Sequence, residues 1–500
     1  MPSTIRPIET ACNTAKDTAK DTAKDTSGLA LQARLEALQK TIPFSAIEQA
    51  LEACQVTTQR VRKLNHAVIM LLVIAMNLFA GDSIGYVLER LCKARCLLQG
   101  NGPEDYADSL STLPSDGALV YRRYQLGPRP LVALFHSLCR PLASSEEACP
   151  RAFLFGLRLM GIDGQLIDVA DTPQNTAYFG KSAGRRGSSA FAKVQALYLC
   201  ELGTHAIVDA GFWPSSVSEK AVASRLLRSV SAGMLVMWDR GLWAYRRIVA
   251  ARERGAHVLC RLPIGVKPVR EKPLSDGSWL VWIAPSDAPG IGKREKGERE
   301  RLLVRLIEYT IDDPAMPGYG ERYRVITTLL DPDQYPAREL AVSYHERWEI
   351  EITLDEIEVH QHLYDGPLRS RKPVGVIQEL YGLLIAHFAI RSVMYDAAQR
   401  AGLPPDRLSF VRALRVIRDA VRDFQIAQIA QIAQIASPAP LDRLYDQMLL
   451  DIALRPLPER RARSNPRVVK RQVSPFAVKR PEHRPVRKLS KTFQEAIILI

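Results

Sequence analysis

From Leu157 onward the sequence changes from helical to strand patterning, and this change constrains the fold more than any other feature. "LRLMGIDG", "QLIDVAD", "FAKVQALYLCE" and "THAIVDAGFW" are short β-branched or apolar runs separated by Asp-Gly and Leu-Gly dipeptides, the pattern of strands joined by turns. A helical segment, "VSEKAVASRLLRSV", follows, then a buried strand, "GMLVMWDRG", a helix, "WAYRRIVAARERG", and a strand, "HVLCRL". Antiparallel strands followed by strand–helix alternation predict a layered α/β fold. After Pro263 the alternation gives way to "SWLVWIAP", "RLLVRLIEYTI" and "RYRVITTLLD", joined by the Gly- and Lys-rich "GIGKREKGERER". These read as strands inserted into the parent domain.

The chain ahead of the strands is helical in pattern. "FSAIEQALEACQV" carries a capping box, Ser45 with Glu48, and apolar Ile47, Leu51 and Cys54 at helical spacing. The run "AVIMLLVIAMNLFAG" contains Asn77 and falls short of the ~20 residues needed to cross a bilayer, so it reads as a buried helix. Two tandem repeats, "TAKDTAKDTAKDT" and "QIAQIAQIAQIA", read as an unpacked tail and as a surface helix or loop.

Lys and Arg number 68 against 54 Asp and Glu, and a pI near 9.4 favours a polyanionic partner. From Arg455 to Lys491, thirteen Lys or Arg face only Glu459 and Glu482, among prolines that prevent one continuous helix. Such a segment suits phosphate backbones, which reward charge without demanding shape. The eight cysteines show no disulfide-framework spacing, and Cys92 and Cys96 read as helix cysteines, not zinc ligands. With no signal-peptide pattern at the N-terminus, the chain is expected in the cytoplasm.

Against this basic background, "YHERWEIEITLDEIEVHQ" (Tyr344 to Gln361) gathers six carboxylates. It lacks Pro and Gly and reads as one helix. On an ideal α-helix Tyr344, Arg347, Glu351 and Glu358 fall within a sector of about 60°. Metal-assisted phosphoryl transfer needs carboxylates that converge on divalent ions, and strand ends facing such a helix supply them. Asp163 reads as the end of the strand "LRLMGID", at a turn with Gly164, and Asp239 as the end of "MLVMWD".

This ordered combination resembles the DDE transposases of bacterial insertion sequences, of the IS4-type family whose signature is Y-x2-R-x3-E-x6-K. Tyr344, Arg347 and Glu351 match that signature, while "DGQLIDV" and "DRGLW" are similar to the family's two aspartate motifs. The resemblance implies an RNase H-like catalytic domain interrupted by a β-strand insertion, with an all-helical N-terminal domain. It further implies that Asp163, Asp239 and Glu351 hold Mg²⁺ or Mn²⁺, and that Tyr344 and Arg347 touch a phosphate. Trp348 and Arg240 are candidate DNA contacts beside them, although Trp348 reads first as a core aromatic. The position of the signature's lysine is Glu358, an anion where the family pattern has a cation, and Gln165 stands where a small hydroxyl residue is usual. Implied partners are DNA, as terminal inverted repeats and target, and a second copy of the chain when synapsed on DNA, with no membrane.

The layout expected on this basis is a low-complexity tail (1–34), a helical DNA-binding domain (35–141), the catalytic domain in two parts (150–263 and 334–400) around the insertion (264–333), and a helical and basic C-terminal region (401–500). Other candidates carry less. Asp168 and Asp171 read as turn and hairpin residues. "FGKSAGRRGSSAF" fails the phosphate-loop pattern and reads as a basic loop. His360 and His362, two apart on a helix, diverge too far to share a metal.

Overall fold

The computed structural model of the protein describes residues 38–499 except 57–63, 100–112, 185–186, 286–300, 315, 317, 362–365, 433–438, 459–462, 465–486 and 489–490. The N-terminal repeat, most of the Gly- and Lys-rich loop, His362, the end of the second repeat and most of the basic C-terminal segment lie outside the described residues. The chain forms two units.

The first unit takes residues 1–138, 377–389 and 415–448. Its helices include α1 (Phe44–Ala53), α2 (His66–Leu78), α3 (Ile84–Gln99), α4 (Asp116–Leu126) and α5 (Arg129–Leu138). The expected capping box is absent: Pro43 precedes α1, and no side chain caps it. Ser45 already lies inside the helix, so its hydroxyl is past the capping position. All thirteen residues of α2 are buried, as an all-round apolar helix requires. Asn77 satisfies its amide within this apolar helix by donating to the carbonyls of Val73 (2.8 Å) and Glu379 (3.4 Å). The long helix Pro373–Ala401 crosses α2 at Gly382, where a Cβ would come within 2.9 Å of the Val73 carbonyl. That long helix has the length and apolarity to cross a membrane, but 83% of its most apolar window is buried in the protein.

The second unit takes residues 139–376, 390–414 and 449–500 and is a mixed α/β structure around one large sheet. Its elements are β1 (Leu157–Val169), β2 (Ala192–Glu201), β3 (Ala206–Pro214), α6 (Glu219–Val222), β4 (Met234–Trp238), α7 (Tyr245–Glu253), β5 (His257–Arg261), β6 (Val269–Pro273), β7 (Trp279–Ile283), β8 (Leu302–Ile311), β9 (Tyr323–Thr327), α8 (Ala337–Glu346), α9 (Glu349–Asp355), the two ends of the long helix α10 (Pro373–Ala401), whose residues 377–389 belong to the first unit, and β10 (Ile497–Leu499). The strand order is β3-β2-β1-β4-β5-β9-β8-β7-β6. β1 to β3 are antiparallel, β4 and β5 run parallel to β1, and the remainder is antiparallel. One face is packed by Val222, Leu226, Leu227, Ile248 and Ala251 against Ile162, Val236, Trp238 and Val258.

Three differences from the sequence reading bear on function. β1 is one strand running straight through Asp163 and Gly164, which pair in register with Tyr198 and Leu197; the Asp-Gly dipeptide makes no turn. Asp168 is likewise a strand residue paired with Lys193, and Asp171 pairs with Lys181. The acid-rich segment is not one even helix. α8 ends at Glu346, a tight turn through Arg347 and Trp348 leads into α9, and a wider π-turn spans Glu356–Gln361. The widening begins where the Glu356 carboxylate is drawn into a buried pair with Arg391.

Candidate active site

Asp163 lies in mid-strand on the face of β1 that also carries Gly161 and Gln165, since side chains alternate along a strand. α9 covers this face. A Cβ at Gly161 would sit 3.4 Å from Ile350 Cδ1, so glycine there lets the helix lie close to the strand. Arg347, at the turn before α9, donates from Nη1 to Asp163 Oδ2 at 3.4 Å, and its Nη2 lies 3.7 Å from Glu351 Oε1. Asp239 follows β4 directly and accepts the Leu242 amide at 3.1 Å. Burial raises the Asp163 carboxyl above its ordinary range; the Gly164 amide and Arg347 oppose this, while the charges of Asp239 and Glu351 add to it. Three carboxylates from distant parts of the chain are thus near enough to repel one another.

The Arg347 side chain is largely buried. Burial works against its charge, but Tyr344, Asp163, Glu351 and Asp239 outweigh this and raise its affinity for the proton. Its Nε is buried without a hydrogen-bond partner. Tyr344 is buried in α8, where burial raises its hydroxyl pKa; Arg347 opposes the rise and Asp239 contributes to it. Trp348 is 42% exposed, so the reading of it as a core aromatic is corrected: the tight turn carries it outward. Arg240 is exposed beside Asp239. Glu358 is exposed on the π-turn; burial raises the pKa of the Tyr198 hydroxyl, Gln165 opposes this, and the charge of Glu358 adds a smaller push upward. The wider turn alters the angular spacing assumed for an ideal α-helix between Glu351 and Glu358. Gln165 donates to the Tyr198 hydroxyl at 3.2 Å.

Sequence reasoning missed Glu219. It opens α6 and approaches the opposite face of β1 at Gly164, where a Cβ would stand 2.6 Å from Glu219 Oε1. Burial first, then the charges of Asp163 and Asp239, push its carboxyl up to about 7 from 4.5, partly offset by Arg247. The only signal in the sequence was an acid at a helix start. Because the folded value lies above the ordinary one, the folded chain keeps a proton that the unfolded chain loses. Its contribution is therefore most favourable below pH 4.5 and is lost as pH rises through about 7. In EDTA, the melting temperature is expected to decline across that window, and Glu219→Gln to flatten the decline. An unchanged slope in the variant would contradict this.

Among the described residues, no three acidic, histidine or cysteine side chains enclose a metal position as they stand. The donor set nonetheless fits hard divalent cations, because every available ligand is a carboxylate oxygen and the acids repel one another even with Arg347 among them.

Comparisons with known proteins define the class first. A profile described as "Transposase DDE domain" matches residues 155–389, and one described as "Insertion element 4 transposase N-terminal" matches residues 32–136. Transposase InsG for insertion sequence element IS4, from Escherichia coli (strain K12), is 26% identical over 444 residues, covering 88% of this chain and 93% of that protein. The chain belongs to the IS4-type family of insertion-sequence DDE transposases. Putative transposase InsZ of the same organism is 22% identical over 147 residues, covering 29% of this chain and 48% of that one. Among solved structures, a piggyBac transposase synaptic complex with hairpin DNA aligns over 88% of this chain and 86% of that chain at 12% identity and TM-score 0.38, too loose a likeness to carry an argument.

Proposed function

We propose that the protein binds the terminal inverted repeats of its own insertion sequence, cleaves the ends by two-metal phosphoryl transfer and joins them to target DNA. The strands β3-β2-β1-β4-β5 would form the RNase H-like catalytic core, with β6 to β9 as its insertion and the N-terminal helices binding DNA. The observation that carries this reading is the convergence on Arg347 of Asp163, 184 residues away in the chain, with Glu351 and the charge of Asp239.

Asp163, Asp239 and Glu351 would hold Mg²⁺ or Mn²⁺, with Glu219 behind them. Bound there, the ions would activate the attacking oxygen and stabilise the leaving one. Arg347, with a buried and unpartnered Nε, suits a phosphate oxygen, for which guanidinium is a bidentate partner. Tyr344 would back it from α8, and the exposed Trp348 would stack on a base. The test is incubation with Mn²⁺ and a duplex carrying the element's terminal repeat. Cutting at the repeat's end supports the reading, and no cutting in Mn²⁺ or, in a parallel reaction, in Mg²⁺ opposes it.

A second reading, a chain that binds ends but cleaves poorly, is favoured by Glu358, an exposed anion at the lysine position of the signature. Glu358→Lys is expected to raise end binding or cleavage several-fold at low salt. The gain should shrink as the Debye length falls from about 10 Å at 0.1 M to about 3 Å at 1 M. If the natural protein equals the variant at every salt concentration, Glu358 has another role.

A further inference from the structure

Behind α9, on the side away from the carboxylate site, lies a buried group of charges with no part in the chemistry described above. His205 places Nε2 2.8 Å from Glu349 Oε2 and Nδ1 3.1 Å from Glu356 Oε1. Arg391, on α10, donates from Nε to Glu356 Oε2 at 2.9 Å, and its Nη2 also pairs with Glu356 and His205. The His205, Glu356 and Arg391 side chains are 4%, 7% and 3% exposed.

We infer that His205, Glu356 and Arg391 form a bracket that positions Glu351, an inference that rests on the transposase reading above. α9 has seven residues and no side-chain cap, too short to hold itself in place when isolated helices need about 12. Its placement must come from tertiary contacts. Glu349 and Glu356 are seven residues apart and share a side of the helix, whereas Glu351, two residues from Glu349, points about 200° around from it. The bracket therefore grips both ends of the helix from behind while its front carries the site carboxylate. Thr353, between the grips, lies 3.6 Å from Cys200 Sγ on β2.

Two further observations separate positioning from plain packing. His205 is held at φ +60°, a left-handed conformation uncommon outside glycine, in the turn between β2 and β3, which fixes where its ring leaves the backbone. A buried ion group is also a poor means of stabilising a core, since apolar residues of like volume serve as well or better. What it supplies is a fixed geometry. His205, Glu356 and Arg391 are then positioning residues, acting on the reaction only through Glu351.

His205→Gly tests this in the full-length protein, because glycine accepts the backbone conformation while removing the ring that joins the two glutamates. Expected are a 10- to 100-fold loss in kcat for terminal-repeat cleavage, with DNA affinity within about twofold, and a roughly 10-fold weaker Mn²⁺ affinity by calorimetry. Added imidazole should restore part of the rate, which a general loss of folding would not allow. Arg391→Lys, which keeps the charge and loses the fork, should give an intermediate loss and keeps the test open if His205→Gly does not fold. Unchanged kcat and Mn²⁺ affinity in the folded variants, with the unsubstituted protein active, would overturn the bracket alone. So would losses that only parallel a drop in melting temperature and ignore imidazole. If the unsubstituted protein neither cleaves nor binds Mn²⁺, the transposase reading falls and the bracket with it.

Discussion

Asp163→Ala, Asp239→Ala and Glu351→Ala are each expected to reduce strand cleavage by at least about a thousandfold while leaving DNA affinity within a few-fold. Metal-assisted stabilisation of developing charge is worth several kcal/mol, and each 1.36 kcal/mol is tenfold in rate. Binding rests on other groups, because phosphate contacts and metal ligands are separate. The surroundings of Asp239 allow a sharper variant. Its Oδ1 accepts the Leu242 amide, so Asp239→Asn keeps that hydrogen bond and the local turn while removing the charge. It should be as inactive as Asp239→Ala but fold as the natural protein does. Gel-resolved cleavage and calorimetric DNA binding check both halves, and normal cleavage by either Asp239 variant would show that the site lies elsewhere.

Gly164→Ala should have the next largest effect, on stability and activity together. An added Cβ would stand 2.5 Å from the Ala196 carbonyl oxygen, 2.6 Å from Glu219 Oε1 and 3.2 Å from Leu197 Cγ. The glutamate can rotate away, but the carbonyl belongs to the neighbouring strand and cannot. β1 would have to move against β2, taking Asp163 with it. Forcing a methyl into such a site costs about 1–3 kcal/mol. At roughly 1–2 °C per kcal/mol for a unit of this size, thermal melting reads the change directly. Gly161→Ala provides the contrast, because its Cβ would meet only the side-chain atoms of Leu202 and Ile350. Equal melting temperatures for the two variants would contradict this account of Gly164.

The same glycine shows where the sequence could be read and where it could not. Strand–helix alternation is a local pattern, and the structure contains strands at "MLVMWD", "HVLCRL" and "RLLVRLIEYTI". Tyr344, Arg347 and Glu351 stand within eight residues of one another, so their nearness was legible, but the turn through Arg347 and Trp348 that breaks the helix between them was not. Gly164 was misread as a turn former because a glycine needed for close approach looks the same as one needed for a turn. β6 gave no signal: as an edge strand exposed along its whole length, it has no apolar alternation. The three residues of β10 follow a basic segment, yet they pair with β8 while Phe493 stacks on His345 at 4.6 Å. Glu219 and the His205 bracket depend on contacts between residues far apart in the chain, which no spacing rule encodes.

The most direct measurement is product analysis with an end-labelled duplex carrying the element's terminal repeat, a supercoiled target and Mn²⁺. A transposase acting as proposed cuts at the repeat's end, leaves a 3′ hydroxyl and joins it to the target, and does none of this when the repeat is scrambled or Asp239 is replaced. Cutting at positions indifferent to the repeat, with no joined product, would instead mark a nuclease and contradict the proposal.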